Sequence, residues 1–366
     1  MREYLLTFFV AASVTYLMVG FAGRLAHWVG AVYPTRDRDV HRAPVPRLGG
    51  TAMLAGMLAA MLVASYLPRL RGVFEEYSDA RALITAAVVI CLVGVADDIW
   101  DISALAKLAG QLLAAGLLVL QGVQLTWIQL PGGAFIFDPQ QGALLTVVLV
   151  VGVANAVNFI DGLDGLAAGA IGIGAAAFFS YAYLTVEEGF SRMTTPALIA
   201  VVLMGICAGF LPHNVHPAKI FMGDSGSLLI GLLLVAASIS LTGKYPSREV
   251  DESSFLLTLL PLILPLAVIV LPLLDMTLAV IRRTRAGRAP WAPDKQHLHH
   301  RLLEIGHSHR RAVFIMWLWA ALVSFGVVVI ALIGGWTTYA LVAVAVLAAV
   351  AFTTGRPRRL LRRSTV

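Results

Sequence analysis

The chain has 366 residues, of which 59% are hydrophobic and only 13% charged. Soluble domains carry about 25% charged residues, so a water-covered globule is excluded, and disordered, collagen-like and disulfide-scaffold classes fall with it. The formal net charge of +6 comes from arginines that flank apolar runs, not from a basic patch interleaved with aromatics, which points to an anionic membrane surface and away from nucleic acid.

A membrane span needs ~20 mostly apolar residues. Windows of that kind fall at about 4–26, 48–66, 81–97, 105–121, 140–158, 164–184, 195–212, 225–243, 255–281, 312–333 and 336–353, predicting an all-α polytopic membrane protein of about 11 spans. The first window is longer than the ~7–15-residue apolar region of a signal peptide and is expected to be an uncleaved span. Between the fourth and fifth, 125–137 alternates around Pro131-Gly132-Gly133 and reads as a small external β-hairpin. Pro261, Pro265 and Pro272 make the ninth the span expected to kink. Cys91 and Cys207 lie inside apolar runs, so no disulfide and no zinc cluster are expected.

Arg69, Arg71, Arg81, Arg192, Lys244 and Arg248 fall on one side of this topology; Arg2 and Arg24 aside, every other lysine and arginine falls on the other. The positive-inside rule then places the N-terminus outside and the C-terminus in the cytoplasm. The expected organisation is one transmembrane domain, 1–355, with cytoplasmic loops at 33–47, 97–107, 155–165, 213–227 and 282–311, and a basic tail, 356–366. That tail carries Arg356-Pro-Arg-Arg-Leu-Leu-Arg-Arg363, suited to anionic lipid.

The short acids, amides and histidines gather at the cytoplasmic span ends. Asp97 and Asp98 close the third span, where the helix dipole disfavours negative charge, so they read either as a wet helix stop or as part of a cationic site. Asn155 and Asn158 share a helix face three residues apart, and Asp161 and Asp164 repeat the spacing across a glycine-broken turn, predicting two amides and two carboxylates aimed into one pocket. Capping of the sixth span accounts for Asp164 alone. Around Asp224, Gly223, Ser225, Gly226 and Ser227 let backbone approach an anion or a metal-bound phosphate, a setting that suits Mg²⁺. His297, His299, His300 and Arg301 lie in an arginine-rich loop without cysteine, which favours phosphate binding over zinc. Carboxylates for a hard cation, amides for a base or sugar, and His/Arg for phosphates together suit phosphoryl transfer at a membrane surface.

Val95-Ala96-Asp97-Asp98, Asn155-x-x-Asn158-x-x-Asp161-Gly-Leu-Asp164-Gly, Phe221-Met-Gly-Asp224-Ser-Gly-Ser and His297-Leu-His299-His300-Arg301, in this order, resemble the signature set of the polyprenyl-phosphate N-acetylhexosamine-1-phosphate transferases. The His-Leu-His-His-Arg pattern is similar to the branch that uses UDP-N-acetylglucosamine rather than the phospho-N-acetylmuramoyl-pentapeptide branch. The stretches 33–41, 282–288 and 305–311 look like its actinobacterial members, WecA-like enzymes acting on decaprenyl phosphate in cell-wall linker assembly.

The resemblance implies transfer of GlcNAc-1-phosphate from UDP-GlcNAc to the lipid phosphate, with release of UMP, at the cytoplasmic face of the bacterial plasma membrane. It implies Mg²⁺, with Mn²⁺ as a substitute, held by Asp224 and Asp98; Asp97 at the lipid phosphate; Asn155, Asn158, Asp161 and Asp164 around the nucleotide; Asn214 adding a hydrogen bond; and Phe221 stacked on uracil. His297, His299, His300 and Arg301 would hold the pyrophosphate or sugar, with Arg42 and Arg47 at the same mouth, and relatives commonly form homodimers. A secondary transporter predicts acids deep inside spans, whereas here only Asp275 comes close to one, and a non-catalytic scaffold would not need these motifs on one side.

Overall fold

The structure, a computed structural model, describes residues 1–33, 44–75, 79–130, 133–187, 194–242 and 307–354, with isolated positions at 263, 277, 281, 282, 284, 285 and 287. Ten of the expected spans are helices: α1 (Arg2–Val29), α2 (Gly49–Tyr66), α4 (Asp79–Trp100), α5 (Ala104–Leu120), α6 (Pro139–Ile160), α7 (Leu166–Glu187), α8 (Thr194–Asn214), α9 (Gly223–Thr242), α10 (His309–Ile333) and α11 (Gly335–Thr354). Nine of these are long and apolar enough to cross a membrane, and α5 is a shorter apolar helix. A four-residue α3 (Gly72–Glu75) was not expected. Apart from positions 263, 277 and 281, the ninth window, 255–281, lies outside the described residues, as do the loop 288–306 and the tail from 355.

The expected hairpin is present as β3 (Trp127–Leu130) paired antiparallel with β4 (Gly133–Ile136), Trp127 opposite Ile136 and Leu130 opposite Gly133. A second two-residue pair, β1 (Val32–Tyr33) and β2 (Val45–Pro46), closes the loop between α1 and α2. Local chemistry sets several helix ends. Asp138 and Gln141 make a reciprocal capping box at α6, with Pro139 in its first turn, and the Ser103 hydroxyl accepts the Ala106 N–H at the start of α5.

The bundle is built around α9, whose apolar window is 89% buried, and α8. α9 packs against α2, α4, α6 and α8. α1 buries a stripe of small side chains, Ala11, Thr15, Ala22 and Ala26 among them, against α2 and α8. Between apolar helices in lipid it is close backbone approach, not exclusion of water, that drives association, and Gly56, Gly205 and Gly209 supply the facing hollows. α11, only 11% buried, packs against α10 at the periphery and exposes Trp336, Leu341 and Leu347. Trp28 and Trp100, exposed at the C-terminal ends of α1 and α4, sit where aromatic side chains mark a bilayer interface. This packing brings the C-terminal ends of α4, α6 and α8 together with the N-terminal ends of α2, α5, α9 and α10, so the polar motifs converge on one end of the bundle.

Candidate active site

Every α-helix starts with N–H groups that lack an intrahelical partner. At α9 they are met from another span: Asp98, in the last turn of α4, accepts the Asp224 N–H through Oδ1 at 2.9 Å and the Ser225 N–H through Oδ2 at 3.1 Å. The sequence placed a substrate anion or metal-bound phosphate at this helix start; the protein's own carboxylate occupies those donors instead. The same logic holds α2, whose first donors, Gly49 and Gly50, reach the carbonyls of Phe221 and Met222 at 3.0 and 2.9 Å. Gly223 makes the tight entry to α9 possible. Its φ is +68°, and a Cβ there would collide with the Asp98 carboxylate and the Arg47 carbonyl.

Asp224, fixed in that first turn, sits at the centre of the polar cluster. Its Oδ1 accepts the Asn158 amide at 2.8 Å, and the same amide donates to Ser227 Oγ at 2.9 Å. Its Oδ2 forms an ion pair with Lys107 of α5, whose ammonium also meets Asp97 Oδ2 at 3.3 Å. One cation thus bridges two carboxylates delivered by α4 and α9. The sequence reading counted Lys107 only as a topological charge; its spacing from Asp97, about three helical turns with a break at 101–103, carries no visible signal.

Asn155 does not join Asn158. Its amide forms a reciprocal pair with Gln111 of α5 at 2.7 and 3.3 Å, one turn farther from the helix end, so the expected pocket of two amides and two carboxylates divides. Three residues on a helix turn a side chain by about 60°, enough here to face a different neighbour. Asp161 follows α6, where burial lifts its carboxyl well above the usual carboxylate range and the charges of Asp98 and Asp164 push the same way. Asp164 reaches across to the α8–α9 loop, accepting His216 Nδ1 at 2.7 Å and the Ala218 N–H at 3.1 Å. Buried Asn214 ties the same two loops, accepting the Gly165 N–H and donating to the Ile220 carbonyl, each at 2.9 Å. Its hydrogen bonds therefore shape the site through the backbone.

Arg47 and Phe221 lie at the same mouth, Arg47 with its carbonyl against Gly223 and Phe221 with its N–H bonded to the Pro46 carbonyl at 2.8 Å. Arg42, His297, His299, His300 and Arg301 fall outside the described residues. Asp97, Asp98, Asn158, Asp161 and Asp224 are brought together; Asn155 is turned away; Asp164 and Asn214 brace the flanking loops.

Residues 80–242, the segment that carries these groups, match the family described as glycosyl transferase family 4. The chain is 46% identical over 331 residues to the decaprenyl-phosphate N-acetylglucosaminephosphotransferase of Mycobacterium leprae, covering 89% of this chain and 83% of the relative. The chain belongs to glycosyl transferase family 4. A probable undecaprenyl-phosphate N-acetylglucosaminyl 1-phosphate transferase of Bacillus subtilis is 32% identical over 90% of this chain and 86% of its own length. The undecaprenyl-phosphate alpha-N-acetylglucosaminyl 1-phosphate transferase of Escherichia coli K12 is 29% identical over 85% and 79%. Within this family member, the matched segment includes α4, α5, α6 and α9, the four helices that supply Asp97, Lys107, Asn158 and Asp224.

Proposed function

We propose that this family 4 enzyme transfers GlcNAc-1-phosphate from UDP-GlcNAc to decaprenyl phosphate, releasing UMP, at the cytoplasmic end of the bundle. The observation that carries the reading is the Asp97–Lys107–Asp224 bridge braced by Asn158, set at the mouth of a membrane helix bundle in a chain whose relatives are named for that transfer. The lipid phosphate oxygen attacks the β-phosphorus of the nucleotide sugar, and the bond to the bridging oxygen breaks, so that UMP leaves with the electron pair. A phosphate with a second pKa near 6 is mostly dianionic at neutral pH, so Asp97 is not needed as a base. Its carboxylate serves instead as a partner for the cation at the site, which in the structure is Lys107.

The donor set fits Mg²⁺. Two carboxylates already share one cation, and hard oxygen donors with room for substrate phosphates are what that ion takes. Asp224 and Asp97 would hold it, with Asp98 kept at the α9 N–H groups as a positioning residue in place of the metal role first expected of it. When bound, the ion neutralises charge on the pyrophosphate. With those carboxylates engaged, the Lys107 ammonium would be available to the same phosphates.

The test is UMP release by purified protein in detergent with decaprenyl phosphate and UDP-GlcNAc, in Mg²⁺ and in EDTA. Turnover lost in EDTA, and reduced about 10³-fold or more in Asp224→Asn, is expected. Full activity in Asp224→Asn would overturn the assignment; release only from a different UDP-sugar would overturn the substrate alone.

A further inference from the structure

A second cluster lies beside the site. Asp164 in the α6–α7 turn, His216 in the α8–α9 loop and His309 at the start of α10 each offer one ligand atom, and the three atoms lie within 4.8 Å of one another. We infer that Asp164, His216 and His309 form a binding site for a borderline divalent metal of the Zn²⁺ type, with a donor set different from the oxygen donors at Asp224.

The three ligands are gathered by the fold, and the loop that carries His216 is tied down on both sides. Asp164 Oδ2 is oriented by the Ala218 N–H as well as by His216, and the Arg310 guanidinium donates to the His216 carbonyl at 3.0 Å. The two imidazoles stack with centroids 4.3 Å apart and planes 23° from parallel, so one ring must rotate before both nitrogens can face a single ion. A tetrahedral ion with bonds of about 2.0–2.2 Å holds its ligands roughly 3.3–3.6 Å apart, so the 2.7 Å contact between His216 and Asp164 need open by less than about 1 Å.

Ligand type selects the metal. Two imidazoles and one carboxylate suit Zn²⁺, Co²⁺ or Ni²⁺ and suit Mg²⁺ poorly. Asp164 is buried while both histidines are partly exposed, giving an entry path and a fourth position for water or an anion. Cysteine count could not show this, since it bears only on thiolate sites, and the ligands come from three separate elements. Bound there, the ion fastens the turn at 161–165 and the loop at 214–220 to α10.

The experiment titrates full-length, EDTA-stripped protein in detergent with Co²⁺ alone, reading uptake by equilibrium dialysis and the visible absorption of tetrahedral cobalt. Binding is expected in Asp224→Asn and in the triple variant His297→Ala, His299→Ala, His300→Ala. It should weaken in His216→Ala and His309→Ala by more than the roughly 10-fold that losing even an outer metal partner costs. His309→Cys should bind with a thiolate-to-cobalt charge-transfer band, a signature that misfolding cannot produce. No uptake by the parent protein, unchanged uptake in both single-histidine variants, or cobalt bound to His309→Cys without that band would each overturn the site.

Discussion

Lys107 holds apart two carboxylates that would otherwise face each other without a cation. Removing it as Lys107→Met leaves Asp97 and Asp224 as adjacent, partly covered like charges, at a cost of about 1–3 kcal/mol of stability. Mg²⁺ should restore most of that, so the thermal midpoint in detergent should rise more between EDTA and Mg²⁺ for Lys107→Met than for the parent. Equal shifts would remove the ammonium from the ion's place. Asp161 gives a pH signature. Its carboxyl is raised in the folded protein, so the native state keeps a proton that the unfolded chain releases near the ordinary carboxylate range of about 4. This group's contribution therefore worsens as pH rises from about 4 toward its raised value, and Asp161→Asn should flatten that part of the decline when midpoints are compared in EDTA. Asp97, Asp98 and Asp224 could be read from the sequence as motif carboxylates. Lys107 and Gln111 could not, because a lysine near a span end satisfies the positive-inside rule and a glutamine within an apolar helix shows its partner only when α5 meets α6.

At the scale of elements, the meeting of α2, α4 and α9 rests on missing side chains. A Cβ on Gly50 would run into the Gly226 backbone, and one on Gly94 into the backbone of Asp224 and Ser225. In both cases the obstacle is main chain, which cannot rotate aside. Gly94→Ala should cost about 1–3 kcal/mol and lower turnover together with stability, while Gly116→Ala on α5, where nothing lies within 4 Å, should change neither. Thermal unfolding of the two variants side by side checks this. Hydropathy made the spans legible because twenty apolar residues have few other fates. The capping of α9 by Asp98 was hidden for the opposite reason: its two halves are 126 residues apart, and neither half looks incomplete alone.

Among the described residues, the Asp224 cluster and the loops that brace it gather at one end of the bundle, so the orientation of the bundle is a functional statement. Cys91 and Cys207 are buried, leaving a clean background for single exposed cysteines. Asp101→Cys, at the polar end of α4, should react with a membrane-impermeant maleimide only from the cytoplasmic side of oriented vesicles, and Arg71→Cys, beyond α2 at the other end, only from outside. The reverse pattern would put the Asp224 cluster on the wrong side for a nucleotide sugar.

The span that carries Asp98 leaves the ribosome long before the helix it caps. At ~5–20 residues per second, the 126 intervening residues take roughly 6–25 s to synthesise, and during that time α4 is already in the bilayer without its partner. A carboxylate waiting that long is tolerable only where water can reach it, which is where the chain puts it, at the end of a span. Variants at Asp98 or Gly223 should therefore betray themselves during biogenesis, as lower yield of newly made protein at raised growth temperature, before any defect is measured in the mature enzyme.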